Sequence, residues 1–226
     1  MSNKFNFLTG RDHPYLKEFE GMKIHKKIIP SLIELKEAAK DEMNIDLTII
    51  SGFRDYKRQQ IIWDEKALGK RNVFDDYNTI LNPKDFSDSD FIKKIMRFSA
   101  LPGASRHHWG TDIDIFDQNI KSKNDVVLNH DESENDFKIL HQWLTDRIEN
   151  NDSFGFFRPY NEDLGGISKE KWHLSFAPLA QEYYDLYDLN TFIQNIKSSD
   201  IIFRDKILEN AESLYNQFIK LIVLPL

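Results

Sequence analysis

Residues 105–114 read SRHHWGTDID. Two adjacent histidines lead through a glycine to two aspartates that alternate with isoleucines. Over residues 111–116, TDIDIF, polar and apolar side chains alternate, which is the pattern of a strand. On such a strand Asp112, Asp114 and Phe116 share one face. His107 lies in the loop that leads in, where it can converge with an aspartate of the strand. Gly110 gives the turn between them a conformation that a Cβ would resist. Two ligand-type side chains are too few for a catalytic zinc, which takes three from the protein.

A third is found in residues 170–175, EKWHLS. His173 completes a set with His107 and Asp114. Glu170, three residues earlier, is then a carboxylate beside the metal, free to accept a proton, as a metallohydrolase needs. Another stretch, residues 51–60, reads SGFRDYKRQQ. Arg54 follows a strand end and a glycine, and its planar fork suits a carboxylate or a developing oxyanion. Gln59, further along the same segment, is placed to bond a peptide backbone.

The remaining histidines have simpler expectations. His108 points away from His107 in an extended chain and serves the loop, not the metal. His13, His25, His130 and His141 lie in segments without ligand company, with His141 on a partly buried or solvated helix face. Trp109 and Trp172 are expected to pack and so fix the site.

Composition narrows the classes. The chain has 226 residues, enough for one sizeable core. It has no cysteine, so neither a disulfide framework nor a thiolate zinc site is available. The net charge of −7 speaks against nucleic acid as the partner. No run approaches the ~20 apolar residues of a membrane span, and the N-terminal residues hold no secretory h-region. The expected location is the cytoplasm, or the cell envelope if a leader has been removed.

Periodicity predicts helices over 24–42 (Pro30 in the first turn), 55–68 (capped by Asp55, closed by Gly69), 89–99 and 135–149. Strands are expected over 46–50, 111–116, 154–160 and 171–176. Residues 70–90 and 120–134 read as loops. Residues 178–226 read as helical, with the final IKLIVLPL either a last turn or an edge strand. Without βαβ regularity, this is an α+β domain in which helices flank a small sheet. One domain, 1–226, is expected, with a motif-bearing core at about 45–177 and a helical extension over 178–226.

The three motifs together resemble the D-alanyl-D-alanine carboxypeptidase family, the VanY-like zinc peptidases related to Hedgehog-type metal domains. That family pattern is Ser-Gly-Tyr-Arg with a later Gln, then Ser-x-His-x-x-Gly-x-x-x-Asp, then Glu-x-Trp-His. Here it reads Ser51-Gly52-Phe53-Arg54 with Gln59, Ser105-x-His107-x-x-Gly110-x-x-x-Asp114, and Glu170-x-Trp172-His173. The resemblance implies a Hedgehog/DD-peptidase-like fold: a small antiparallel sheet that carries a zinc site, with helices around it. It implies His107, Asp114 and His173 as Zn2+ ligands, Glu170 as base and Arg54 as a catalytic, substrate or transition-state contact, with Gln59 and Ser105 toward the substrate. The implied substrate is a peptidoglycan stem peptide ending in D-Ala-D-Ala. Free D-Ala-D-Ala or an L-Ala-D-Glu bond are alternatives, as is a non-catalytic zinc-containing module that binds wall peptide. Two departures stand out. Phe53 replaces a common tyrosine, and Asp112 stands where many relatives carry a small residue; it is a supporting carboxylate or an alternative ligand.

Overall fold

The structure, a computed structural model, describes residues 3–225. A short helix α1 (Asn3–Leu8) leads to a hairpin of β1 (Leu16–Phe19) and β2 (Met22–His25), then α2 (Ile29–Met43), β3 (Leu47–Ser51) and α3 (Tyr56–Ala67). After a long loop come α4 (Asp88–Met96), β4 (Asp112–Asp117), α5 (His130–Glu134) and α6 (Lys138–Glu149). Strands β5 (Phe156–Phe157) and β6 (His173–Phe176) follow, then helices α7 (Ala177–Leu186), α8 (Leu189–Lys197), α9 (Arg204–Glu209) and α10 (Ala211–Tyr215).

Local chemistry explains the helix ends. The Asp55 carboxylate accepts the Arg58 N–H at the start of α3, and Gly69, at φ +68°, lets the chain turn away past its end. Ser87 caps α4 and Asp188 caps α8 in the same way. Pro30 occupies the first turn of α2, where its missing N–H costs nothing.

Four strands form one antiparallel sheet in the order β3-β4-β6-β5. Strand β4 is buried at every position. Its Ile113 and Ile115 join the apolar core with Leu47, Ile49 and Leu174, while Asp112 and Asp114 face the other way. The register sets Ser51 opposite Asp114 on one side and His173 opposite Asp114 on the other. Directly paired residues share a face. The sheet thus draws the ends of the three sequence motifs into one row.

The expected α+β class is found, with four differences of detail. The helix expected from residue 24 starts at Ile29, because Ile24 and His25 belong to the hairpin and a 3-10 turn spans Lys26–Ile28. The strand expected over 154–160 shortens to two residues: Phe154 and Gly155 take positive φ, and Pro159 has no N–H for a ladder. The loop over 120–134 contains α5, nucleated where Asn129 caps Glu132. The C-terminal stretch continues through a π turn, Asn216–Lys220, and then loses regular structure. Val223 donates to the Pro159 carbonyl at 2.9 Å as a single bond, not an edge strand. Leu226, the end of that stretch, and Met1 and Ser2 at the other end lie outside the described residues. No helix among the described residues is long and apolar enough to cross a membrane.

Candidate active site

One ligand-type atom from each of His107, Asp114 and His173 lies within 4.8 Å of the others, and all three residues are buried. Each imidazole is oriented by a bond on its far side. His107 Nδ1 meets the Gly52 carbonyl at 2.9 Å, which leaves Nε2 facing Asp114 Oδ2 at 3.3 Å. His173 Nε2 meets Asp112 Oδ1 at 3.0 Å, which leaves Nδ1 at 3.3 Å from Asp114 Oδ1. Gly110 follows the 3-10 turn Arg106–Trp109 that carries His107, and its φ of +66° is the left-handed conformation expected of it.

Glu170 Oε2 lies 3.6 Å from His173 Nδ1, on the same side as the cluster. Burial raises its carboxyl to about 7, above the ordinary carboxylate range, against the pull of His173. Burial also opposes ionisation of Asp114, yet His107 and His173 overcome it and hold that carboxyl well below its usual value. His107 is pushed down by burial. His173 is also buried, but the carboxylates of Asp112 and Asp114 beside its two nitrogens outweigh that and raise it to about 9.

The cluster opens on a cavity of about 220 Å³. Arg54, Ser105, Trp172 and Tyr160 line it with the cluster itself. Among the described residues the Arg54 guanidinium is bonded to two neutral partners, Gln59 Oε1 at 2.9 Å and Ser51 Oγ at 3.3 Å. Among the described residues no carboxylate lies within ion-pair distance of it. Burial lowers its pKa, while Asp114 and Glu170 oppose that shift.

Gln59 requires a correction. It is fully buried and stands behind Arg54, not on the cavity wall. Its Nε2 donates to the Ala100 carbonyl at 2.7 Å while its oxygen holds Arg54, so its amide is occupied and does not reach for substrate. His141 also differs from expectation: it is buried, 2% exposed, against Arg158. His108 serves the loop, with Nδ1 on the Arg54 carbonyl at 2.5 Å and Nε2 accepting the Gly103 N–H at 3.0 Å. Asp112, expected as a supporting carboxylate or an alternative ligand, lies outside the three-residue cluster: its Oδ1 meets Nε2, across the His173 ring from Asp114. Tyr160, Leu128 and Ile167 on the cavity wall had no signal in the sequence; they come from loops whose paths no periodicity determines.

The donor set fits a zinc-type ion. Two imidazole nitrogens and a carboxylate are aimed at one point. Asp114 Oδ1 is buried without a hydrogen-bond partner, which is costly unless a cation meets it.

This architecture defines the class: the zinc-peptidase fold of the VanY type. Residues 21–179 match the family VanY, D-alanyl-D-alanine carboxypeptidase, and the chain belongs to that family. A Haemophilus influenzae protein of uncharacterised function is 30% identical over 124 residues, covering 53% of this chain and 92% of its own length. A D-alanyl-D-alanine carboxypeptidase of Enterococcus faecalis is 28% identical over 181 residues, covering 75% of this chain; the match spans only 57% of that protein. Among solved structures, a mutant of the vancomycin-resistance D,D-pentapeptidase VanY in complex with Zn(II) is 26% identical, with a TM-score of 0.52 and coverage of 76% of this chain and 87% of that one. VanYB in complex with D-alanine-D-alanine shares the fold at a TM-score of 0.52 and 24% identity, over 75% of this chain and 82% of that one.

Proposed function

We propose that the protein is a zinc-dependent D-alanyl-D-alanine carboxypeptidase that removes the terminal residue of peptidoglycan stem peptides. One observation carries this reading: His107, Asp114 and His173 converge beside Glu170 at the end of a cavity that also presents Arg54. The zinc and D-Ala-D-Ala complexes of the VanY-type structures support it.

His107 and His173, through Nε2 and Nδ1, and a carboxylate oxygen of Asp114 would hold the ion. When bound, zinc supplies Lewis acidity and makes water acidic enough to be deprotonated near neutral pH. Glu170 is the proton carrier. Its carboxylate takes the proton of the attacking water as the scissile carbonyl becomes tetrahedral, then delivers it to the leaving amine. Arg54, preset by Gln59, donates to the developing oxyanion or anchors the substrate's terminal carboxylate. Trp172 and Tyr160 wall the cavity beside these groups.

The test is incubation of zinc-loaded protein with a muropeptide pentapeptide and with D-Ala-D-Ala, beside a chelated control, read by mass spectrometry. Loss of one alanine from the pentapeptide, abolished by the chelator, is the expected result. Cleavage of the dipeptide alone makes the protein a dipeptidase, and release of a larger fragment makes it an endopeptidase. No product from a protein shown to contain zinc favours a binding module.

A further inference from the structure

The side of His173 that faces away from the cluster is built as carefully as the side that faces it. Asp112 is fully buried, at 0% exposure, on the strand beside Asp114. Its Oδ1 receives His173 Nε2 at 3.0 Å and Arg106 Nε at 2.8 Å. Its Oδ2 receives the Thr111 hydroxyl at 2.8 Å. Arg106 is itself fixed: Nη2 donates to Ser175 Oγ at 2.6 Å, and the guanidinium lies over the Trp109 ring, 4.7 Å from its centroid. Ser175 pairs with Asp112 in the sheet, as His173 pairs with Asp114. The rigid strands β4 and β6 therefore anchor this network.

A buried carboxylate that accepts from one imidazole nitrogen does two things. It obliges that nitrogen to carry the proton, so the other nitrogen offers its lone pair. It also fixes the ring plane. A lone carboxylate at this position would be a large uncompensated charge in a dry interior. Arg106 supplies the compensation, and because it bonds from a direction set by Ser175 and Trp109, it also prevents Asp112 from swinging toward the cluster.

We propose that Asp112, clamped by Arg106, is the positioning residue that fixes His173 as an Nδ1 ligand and thereby sets the affinity of the site for a divalent ion. The pair acts through His173 and touches neither ion nor substrate. The proposal rests on the metal-site reading above, and goes beyond it by giving Asp112 and Arg106 a definite task in this chain.

Removal of Asp112 alone strands Arg106 in the interior, so two variants are needed. Asp112→Asn keeps an acceptor but loses the charge. The double variant Asp112→Ala/Arg106→Met removes the pair together and leaves neither member stranded without the other. Zinc dissociation constants are measured by competition with a chromophoric chelator, and the d–d spectrum of the cobalt(II) form reports ligand geometry. Thermal unfolding of each metal-free protein reports folding. Expected is a 10- to 100-fold weaker zinc affinity in the double variant, a smaller loss in Asp112→Asn, and an altered cobalt spectrum. Folded variants that match wild type in zinc affinity and cobalt spectrum overturn the proposal while leaving the metal site intact. If either variant fails to fold without metal, the other decides; failure of both overturns the proposal by making the pair a folding element. Wild-type protein that takes up no zinc overturns the metal-site reading and this inference with it.

Discussion

At the scale of single residues, the division of labour between Glu170 and the cluster is open to direct test. Glu170 lies beside the cluster but is not one of its three residues. Glu170→Gln should lower turnover by about 10²- to 10⁴-fold while zinc affinity changes little; near-normal turnover would remove it from the reaction. Gln59 is the reverse case, a residue away from the cavity wall that governs one on it. Gln59→Leu frees Arg54 and leaves the Ala100 carbonyl without its donor. Because small displacements of a positioned group cost up to about 10²-fold, kcat/KM should fall by about 10- to 100-fold with zinc content unchanged. An unchanged kcat/KM would show that Arg54 holds its place without help.

At the scale of elements, the sheet explains why the site is largely legible in the sequence. Ser51, Asp114 and His173 belong to three motifs far apart in the chain, and strand pairing puts them side by side. Alternation over 111–116 is sufficient to place Asp112 and Asp114 on one face, since a period of two leaves no freedom. The hairpin over 16–25 is not legible. It buries only part of its length, Ile24 and His25, so its sequence carries no strong alternation. Yet it supports the site: the His25 N–H donates to the Gly110 carbonyl at 2.8 Å, and the Phe53 N–H to the Lys23 carbonyl at 2.7 Å. Gly110 is one of the points where the chain passes close to the hairpin. A Cβ there would stand 2.8 Å from Leu16 Cδ2 and 3.1 Å from the His25 backbone nitrogen, on a backbone with φ of +66°. Gly110→Ala should therefore destabilise the fold by about 1–3 kcal/mol, visible as a lower denaturant midpoint; an unaltered midpoint would mean the hairpin yields without cost.

The same hairpin gives stability a pH dependence. His25 is lowered to about 4, first by burial and then by His13, Lys27 and Lys26. The Tyr183 hydroxyl at 3.4 Å and the Tyr15 ring at 5.5 Å also face it. No carboxylate forms an ion pair with it among the described residues. The folded chain prefers neutral His25, whereas the unfolded chain takes up a proton near pH 6.5. Its stabilising contribution is whole above about pH 6.5 and is lost as pH falls through about 4. With 1.36 kcal/mol per unit, the loss is at most about 3 kcal/mol. His25→Gln, which keeps an acceptor for the Lys27 N–H, should flatten that part of the curve of stability against pH. An acid limb identical to wild type would assign the loss to other groups.

At the scale of the whole molecule, the C-terminal helices are bonded, among other places, to the turn at 101–103 that precedes the His107 segment. The Asn195 amide on α8 donates to the Pro102 carbonyl and accepts from Arg11, both at 2.7 Å. The Tyr187 hydroxyl donates to the Gly103 carbonyl at 2.7 Å. Gly103 in turn is the residue whose N–H meets His108, next to His107 of the cluster. Phe192, Ile196, Leu214 and Phe218 share one apolar core with Leu8, Trp63 and Leu101. Helical periodicity over 178–226 can show amphipathic helices but not what they pack against, because the partner turn at 101–103 carries no pattern of its own. We propose that residues 178–226 and the core at 45–177 form one cooperative domain. Full-length protein should unfold in a single transition that coincides by fluorescence and circular dichroism. A chain ending at Tyr187 exposes the apolar face that α8 and α10 cover, and removes the Asn195 tie to the 101–103 turn, so it should be insoluble or lose zinc binding with its tertiary structure. A truncated chain that folds, binds zinc as tightly as the full chain and unfolds at the same temperature would make the C-terminal helices a separate unit.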